Sequence, residues 1–252
     1  DKDEKFMTSM LRYFAINSVP CTFISTAMME KAISCLSDEE KQKANFSVIL
    51  NGASGITKKA SLREYYGIGE DEKVCLCSGN INLRKNQYQL VKAYSLLSET
   101  EQNNLRIMLI GNLIDERVKE VITQNHLQDR IILCGAVPRN ELGGYYNAAD
   151  FTALLSLSEG FGLSIIEGFT FGLPAILWGD LDVTKDINDL NCVMFVSDRT
   201  DECLAQHLIS MMKKNWNHNY IKEYARLFSV ENMKEKYLNW FLNCVNGGDE
   251  NG

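Results

Sequence analysis

Short apolar runs alternate with longer segments of mixed polarity along most of this chain. The runs at 74–78, 105–110, 130–134, 151–155, 175–178 and 193–196 are nearly continuous in Val, Ile, Leu, Phe and Cys. Such runs predict strands buried on both faces. Between and after them, 86–98, 113–124, 139–147, 164–171 and 201–213 carry the pattern of helices. Strands separated by helices predict an α/β fold, a Rossmann-like parallel sheet flanked by helices. Ligands of such sheets bind beyond the carboxyl ends of the strands. Gly79 and the turn at Glu159 both fall at such ends.

The flanks of this pattern are different. Residues 5–17 and 26–35 predict helices, and 21–24 and 46–50 predict strands. The charged stretch 37–43 reads as a solvated loop or helix end. Residues 229–245 predict an amphipathic helix carrying Tyr237, Trp240 and Phe241. The tail, 246–252, is polar and Gly-rich, and is expected to be disordered. The expected division is therefore 1–50, 51–228, 229–245 and 246–252. There is no internal repeat and no low-complexity block.

Composition narrows the function classes. Of 252 residues, 45% are hydrophobic and 23% charged, as in ordinary soluble globular proteins. The net charge is −7 with no Lys/Arg-rich block, so nucleic acid binding has no electrostatic support. No apolar run is long enough to span a membrane. The stretch DKDEKFMTSM has neither the basic start nor the apolar core of a signal peptide. Eight Cys are present, and Cys75, Cys77, Cys134 and Cys192 lie in apolar contexts. They are expected to be buried free thiols in a reducing cytoplasm. No Cys or His pair has metal-ligand spacing, and the three His are scattered. No metal site is expected, and no nucleophile–base pair stands out. A dinucleotide-binding G-x-G-x-x-G after a strand is also missing.

The candidate chemistry lies in two places. In EGFGLSIIEGFTFGLPAIL, Glu159 and Glu167 are separated by seven residues. Gly160 and Gly162 allow a tight strand-to-helix turn. Ser164 is expected to cap the helix, with Glu167 completing an S-x-x-E capping box. The free N–H groups of that helix start suit an anion. The residues alone leave open a plainer reading, in which Glu167 only caps the helix and Glu159 is a solvated loop carboxylate. The second place is SGNINLRKN, 78–86, which follows a strand and opens a helix. Arg84 and Lys85 are expected near that helix start, where the macrodipole disfavours cations. A bound anion would relieve the conflict; solvated surface cations are the alternative.

The Glu159–Pro174 segment resembles the E-x7-E donor motif of family-4 retaining glycosyltransferases, which have the GT-B fold. The Gly-Phe-Gly after Glu159 and the Gly-Leu-Pro after the helix match as well. The resemblance covers about 19–241 and implies the donor-binding, carboxyl-terminal half of that fold. Residues 1–50 would be a remnant of the amino-terminal domain, with Val48-Ile49-Leu50-Asn51-Gly52 as the link, and 229–245 the helix that crosses back.

The same resemblance implies roles residue by residue. Lys85 would contact the donor diphosphate, and Glu159 the sugar hydroxyls; these two are the expected catalytic residues. Glu167 would bind the ribose diol. Gly79, Phe161, Gly162, Leu163 and Ser164 would line the sugar and diphosphate, and Ala136 and Val137 would meet the base. Gly111 and Asn112 match a Gly-rich turn. The family's Arg in "G-R-L-x-x-x-K" is Asn80 here. Asparagine lacks the charged fork of arginine. Three consequences are open: Arg84 reaches in, phosphate binding is weaker, or activity is lost. The usual "g-g-x-P-E" stretch is also replaced, by GDLDVTKDIND at 179–189.

The implied activity moves a sugar from a nucleotide sugar, UDP-sugar by default, to an acceptor hydroxyl with retention. The implied setting is cytoplasmic glycan biosynthesis. No cofactor is required. The acceptor would be a glycan, a lipid-linked or a small molecule, held by the missing amino-terminal domain, through which peripheral membrane contact is expected. This chain alone is expected to bind nucleotide but to turn over poorly or not at all. The alternatives are a non-catalytic GT-B subunit that binds or stabilises a partner glycosyltransferase, and a related GT-B epimerase or phosphorylase.

Overall fold

The structure, a computed structural model, describes residues 2–246, with side chains from residue 5 onward. The expected disorder of 247–252 falls outside the described residues. The chain forms two compact units, Asp1–Ala53 with Phe228–Gly252, and Ser54–Leu227.

In the first unit, α1 (Lys2–Ile16) precedes β1 (Cys21–Phe23), α2 (Thr26–Ser34), α3 (Asp38–Lys43) and β2 (Phe46–Val48). β1 and β2 pair in parallel, Cys21 opposite Phe46. The charged stretch expected as loop or helix end is a helix, α3. Ser37 and Glu40 form a reciprocal capping box, which satisfies two orphan N–H groups at its start.

The second unit holds β3 (Lys73–Ser78), α4 (Gln87–Ser95), α5 (Glu99–Asn103), β4 (Leu105–Ile110), α6 (Arg117–Gln124) and β5 (Ile131–Gly135). It continues with α7 (Leu142–Ala148), β6 (Phe151–Leu154), α8 (Leu163–Thr170), β7 (Ala175–Trp178), β8 (Val193–Val196), α9 (Asp201–Lys213) and α10 (His218–Ala225). The last helix, α11 (Val230–Asn246), belongs to the first unit. It includes Asn246, expected in the tail.

Six parallel strands form one sheet in the order β5-β4-β3-β6-β7-β8. The runs expected as strands are these six. They are apolar throughout because both faces are covered: Val74 to Cys77 and Ile107 to Leu109 are all buried. Val74, Leu76, Met108 and Ile110 share a core with Leu142 and Tyr146 of α7. Arg63, Lys73 and the Val74 N–H converge on Asp150 at the start of β6. α10 lies in a segment for which no helix was expected. Asn217 caps it by accepting the Tyr220 N–H at 3.0 Å.

The order reverses between β3 and β6. From β3 the chain moves outward to β4 and β5, then returns to β6 on the other side of β3. Loops after β3 and β6 therefore diverge to opposite faces and leave a crevice, the usual ligand position in this topology.

Candidate active site

The loop after β3 is a hydrogen-bonded scaffold. Buried Gln87 donates to the Gly79 and Asn80 carbonyls, both at 3.2 Å. Asn82 Oδ1 accepts the Lys85 N–H at 2.9 Å, and the Asn86 N–H donates to the Asn82 carbonyl. Asn86 caps α4 in the left-handed region, φ 56°. α4 starts at Gln87, so Arg84 and Lys85 precede the helix rather than opening it. Gly111 is forced by packing. A Cβ there would stand 2.3 Å from the Gly79 carbonyl oxygen.

The loops after β3 and β6 are tied together. The Leu157 N–H donates to the Arg84 carbonyl at 2.7 Å, and Arg84 Nη1 donates to the Ser158 carbonyl at 3.0 Å. Across this seam Lys85 Nζ lies 2.6 Å from Glu159 Oε2. Arg84 Nη1 is 3.6 Å from the same oxygen, and the buried Ser156 hydroxyl donates to it at 3.1 Å. Burial pushes the Glu159 carboxyl up, but Lys85, Ser156 and Arg84 outweigh it and hold it below the ordinary carboxylate range. Lys85, which the residues alone left either as awaiting a bound anion or as a solvated surface cation, thus has an internal counter-charge.

Asn80 turns elsewhere. Its Oδ1 accepts the Asn112 backbone N–H at 3.2 Å, which links the turns after β3 and β4.

Helix α8 corrects the expected capping. It begins at Leu163, and its cap is Gly162 in the left-handed region, φ 78°, with no side-chain bond. Ser164 lies inside the helix, and Glu167 is beyond the first turn, so no S-x-x-E box forms. The reason is the room at Gly162: a Cβ there would meet Leu154 at 2.9 Å. Only glycine makes this turn without strain. The helix start is consequently free of any side chain of its own, which leaves its N–H dipoles open to a ligand.

Glu167 instead points into a second cluster. It is 8% exposed. Arg139 Nη1 donates to Oε1 at 2.9 Å, and the Tyr146 hydroxyl lies 3.0 Å from both Oε2 and the Ser164 carbonyl. Burial, then the Glu167 charge, pushes the Tyr146 hydroxyl well up, so it stays a donor.

The expected site residues fall in three groups. Gly79, Arg84, Lys85, Glu159 and Gly162 to Ser164 gather where β3 and β6 end. Phe161 is buried at 3% and supports the turn, whereas Leu163 is exposed. Glu167 stands with Arg139 and Tyr146. Ala136, exposed, and Val137, half-buried, follow β5; Arg139 comes two residues later. Arg139, Tyr146 and Gln87 carry no local signal. Among the described residues, no group of three or more His, Cys, Asp or Glu is placed to hold a metal ion. None of the described helices is long and apolar enough to cross a membrane.

A family model described as Glycosyl transferases group 1 matches residues 58–228. The chain is 27% identical over 187 residues to an alpha-monoglucosyldiacylglycerol synthase of Streptococcus pneumoniae, covering 73% of this chain and 42% of that protein. It is 24% identical over 180 residues to an N-acetyl-alpha-D-glucosaminyl L-malate synthase of Bacillus anthracis, covering 70% and 46%. The chain thus spans less than half the length of these two relatives. Among solved structures, HepE of Anabaena in complex with UDP and glucose superimposes with a TM-score of 0.73 at 18% identity, covering 94% of this chain and 67% of that one. A sucrose-phosphate synthase of Thermosynechococcus elongatus gives 0.71 at 19%, covering 90% and 58%. At such identities the likeness is one of fold, a parallel sheet flanked by helices.

Proposed function

The chain belongs to the group 1 glycosyl transferases, and from that premise we propose that it is the donor-binding part of a longer retaining glycosyltransferase. The donor is a nucleoside-diphosphate sugar, by default a UDP-sugar. The acceptor is a hydroxyl of a glycan, a lipid-linked or a small molecule, held by an amino-terminal domain outside this chain.

The observation that carries this reading is the Lys85–Glu159 pair, 2.6 Å apart beside the start of α8. One crevice holds an ammonium, a carboxylate and open helix N–H groups. The diphosphate lies against Lys85, Arg84 and the N–H groups of Gly162 to Ser164. Glu159 turns from Lys85 to the sugar hydroxyls. Glu167 takes the ribose diol, and Ala136 and Val137 border the base. In the reaction the bond from the anomeric carbon to the diphosphate oxygen breaks. The acceptor oxygen bonds to that carbon on the same face, and its proton leaves on the diphosphate. Negative charge grows on the leaving oxygen, where Lys85 and the preorganised N–H dipoles stabilise it.

Arg84 supports the reading at the family's missing arginine. It already reaches Glu159 from the loop after β3. A second reading, a non-catalytic subunit, is favoured by Asn80, whose side chain holds Asn112 instead of offering a cation.

Calorimetric titration of UDP, GDP and ADP into the chain, repeated with Lys85→Ala and Glu167→Ala, tests the donor site. Binding of one nucleotide that weakens in both variants is the expected result. Equal binding by wild type and both variants overturns the site. Turnover after an amino-terminal domain is restored separates enzyme from subunit.

A further inference from the structure

A buried carboxylate has about four acceptor positions, two on each oxygen. At Glu167, Arg139 takes one on Oε1, and the Tyr146 hydroxyl, its one proton shared with the Ser164 carbonyl, takes one on Oε2. One position per oxygen remains, which is the number a vicinal diol needs. Tyr146 is fixed: it is fully buried, and its ring stacks on Phe171 with centroids 5.2 Å apart. Arg139 is the other hand. Its side chain is 56% exposed, yet Nη2 is anchored to the Ser54 carbonyl at 3.1 Å and to the Ser54 hydroxyl at 2.7 Å. The guanidinium fork therefore bridges Glu167 and Ser54, a geometry that arginine supplies through two separate donors.

We propose that Arg139 is a positioning residue that holds Glu167 Oε1 in place, so that Glu167 presents one acceptor to each hydroxyl of the donor's ribose. Arg139 thereby sets the preference for ribonucleotides over 2′-deoxyribonucleotides. This rests on the reading of Glu167 given above. A plain ion pair between the two residues would contribute to stability alone and would leave nucleotide preference untouched.

The test is the ratio of UDP to 2′-deoxy-UDP affinity, measured by calorimetry for the wild-type chain, Arg139→Ala and Glu167→Ala. Thermal melting verifies that each variant is folded. The wild-type ratio is expected to be about tenfold or more, the value of one hydrogen bond to a charged group. Arg139→Ala is expected to bring it near unity, through weaker UDP binding, while 2′-deoxy-UDP affinity is little changed. A folded Arg139→Ala chain that keeps the wild-type ratio overturns the inference. If Glu167→Ala loses the ratio in the same experiment, the ribose role of Glu167 stands without Arg139. A wild-type chain that makes no distinction between the two nucleotides overturns both.

Discussion

Lys85 and Glu159 are 74 residues apart in the chain and 2.6 Å apart in space. Their side chains are only 16% and 13% exposed. The two loops that carry them leave neighbouring strands toward opposite faces, and the ion pair closes the seam between them. Each group has its counter-charge within the protein, so the donor diphosphate proposed above would compete with Glu159 for Lys85.

Lys85→Ala is expected to weaken nucleotide diphosphate binding about tenfold to a hundredfold, since hydrogen bonds to charged groups are worth about 1.5–3 kcal/mol. It also leaves Glu159 without its nearest cation, so Tm is expected to fall. Calorimetry and a thermal melt of the same sample read both effects.

The Glu159 carboxyl sits below its ordinary value in the folded protein. Its contribution to stability is therefore present at neutral pH, above the unfolded carboxylate range. It is lost as pH falls through the folded value. Urea unfolding of wild type and Glu159→Gln between pH 7 and pH 3 checks this. The stability gap between the two is expected to be widest at pH 7 and to shrink on acidification. A gap that widens in acid contradicts the pairing.

Gly162→Ala is expected to destabilise the second unit. A left-handed conformation costs an L-residue about 1–2 kcal/mol, and the new Cβ would press Leu154 at 2.9 Å. Because this residue caps the start of α8, nucleotide affinity is expected to fall as well. Denaturant unfolding monitored with the titration separates the two. Unchanged stability with unchanged affinity would contradict the role of this turn.

The cysteines divide by burial. Cys75, Cys77 and Cys192 are buried and free, whereas Cys35 is exposed. Burial pushes the Cys77 and Cys192 thiols up to about 12 and Cys75 well up. Reactivity requires the thiolate. Iodoacetamide at pH 8, read by peptide mass spectrometry, is expected to modify Cys35 in the native protein. Cys75, Cys77 and Cys192 are expected to react only after unfolding.

Much of the fold was legible because the six apolar runs are long, near-continuous and separated by helical segments. A strand buried on both faces has no polar face to obscure the pattern. The two glutamates were singled out by their spacing around the Gly-Phe-Gly turn and Lys85 by its place after a buried strand, and of these the structure pairs Lys85 with Glu159. Local boundaries were less secure. Ser164 and Glu167 have the letters of a capping box, yet Gly162 takes the left-handed turn and starts α8 one residue before Ser164. The S-x-x-E box is therefore not used, and Glu167 is free for Arg139 and Tyr146. The short helix α3 was hidden because its surface is charged on every side, and capping rather than burial holds it.

By itself the sequence determined the alternation of strand and helix, the positions of the crevice loops and the residue types in them, because these depend on periodicity and on near neighbours. Strand order, and with it every pairing across the crevice, was decided by tertiary structure. Lys85 with Glu159, Arg139 with Glu167 and Asn80 with Asn112 lie 74, 28 and 32 residues apart. No local pattern encodes such distances. The first two arise when the sheet reverses its order between β3 and β6, and the third when β3 pairs with β4; in each case packing brings segments that follow different strands within hydrogen-bonding reach.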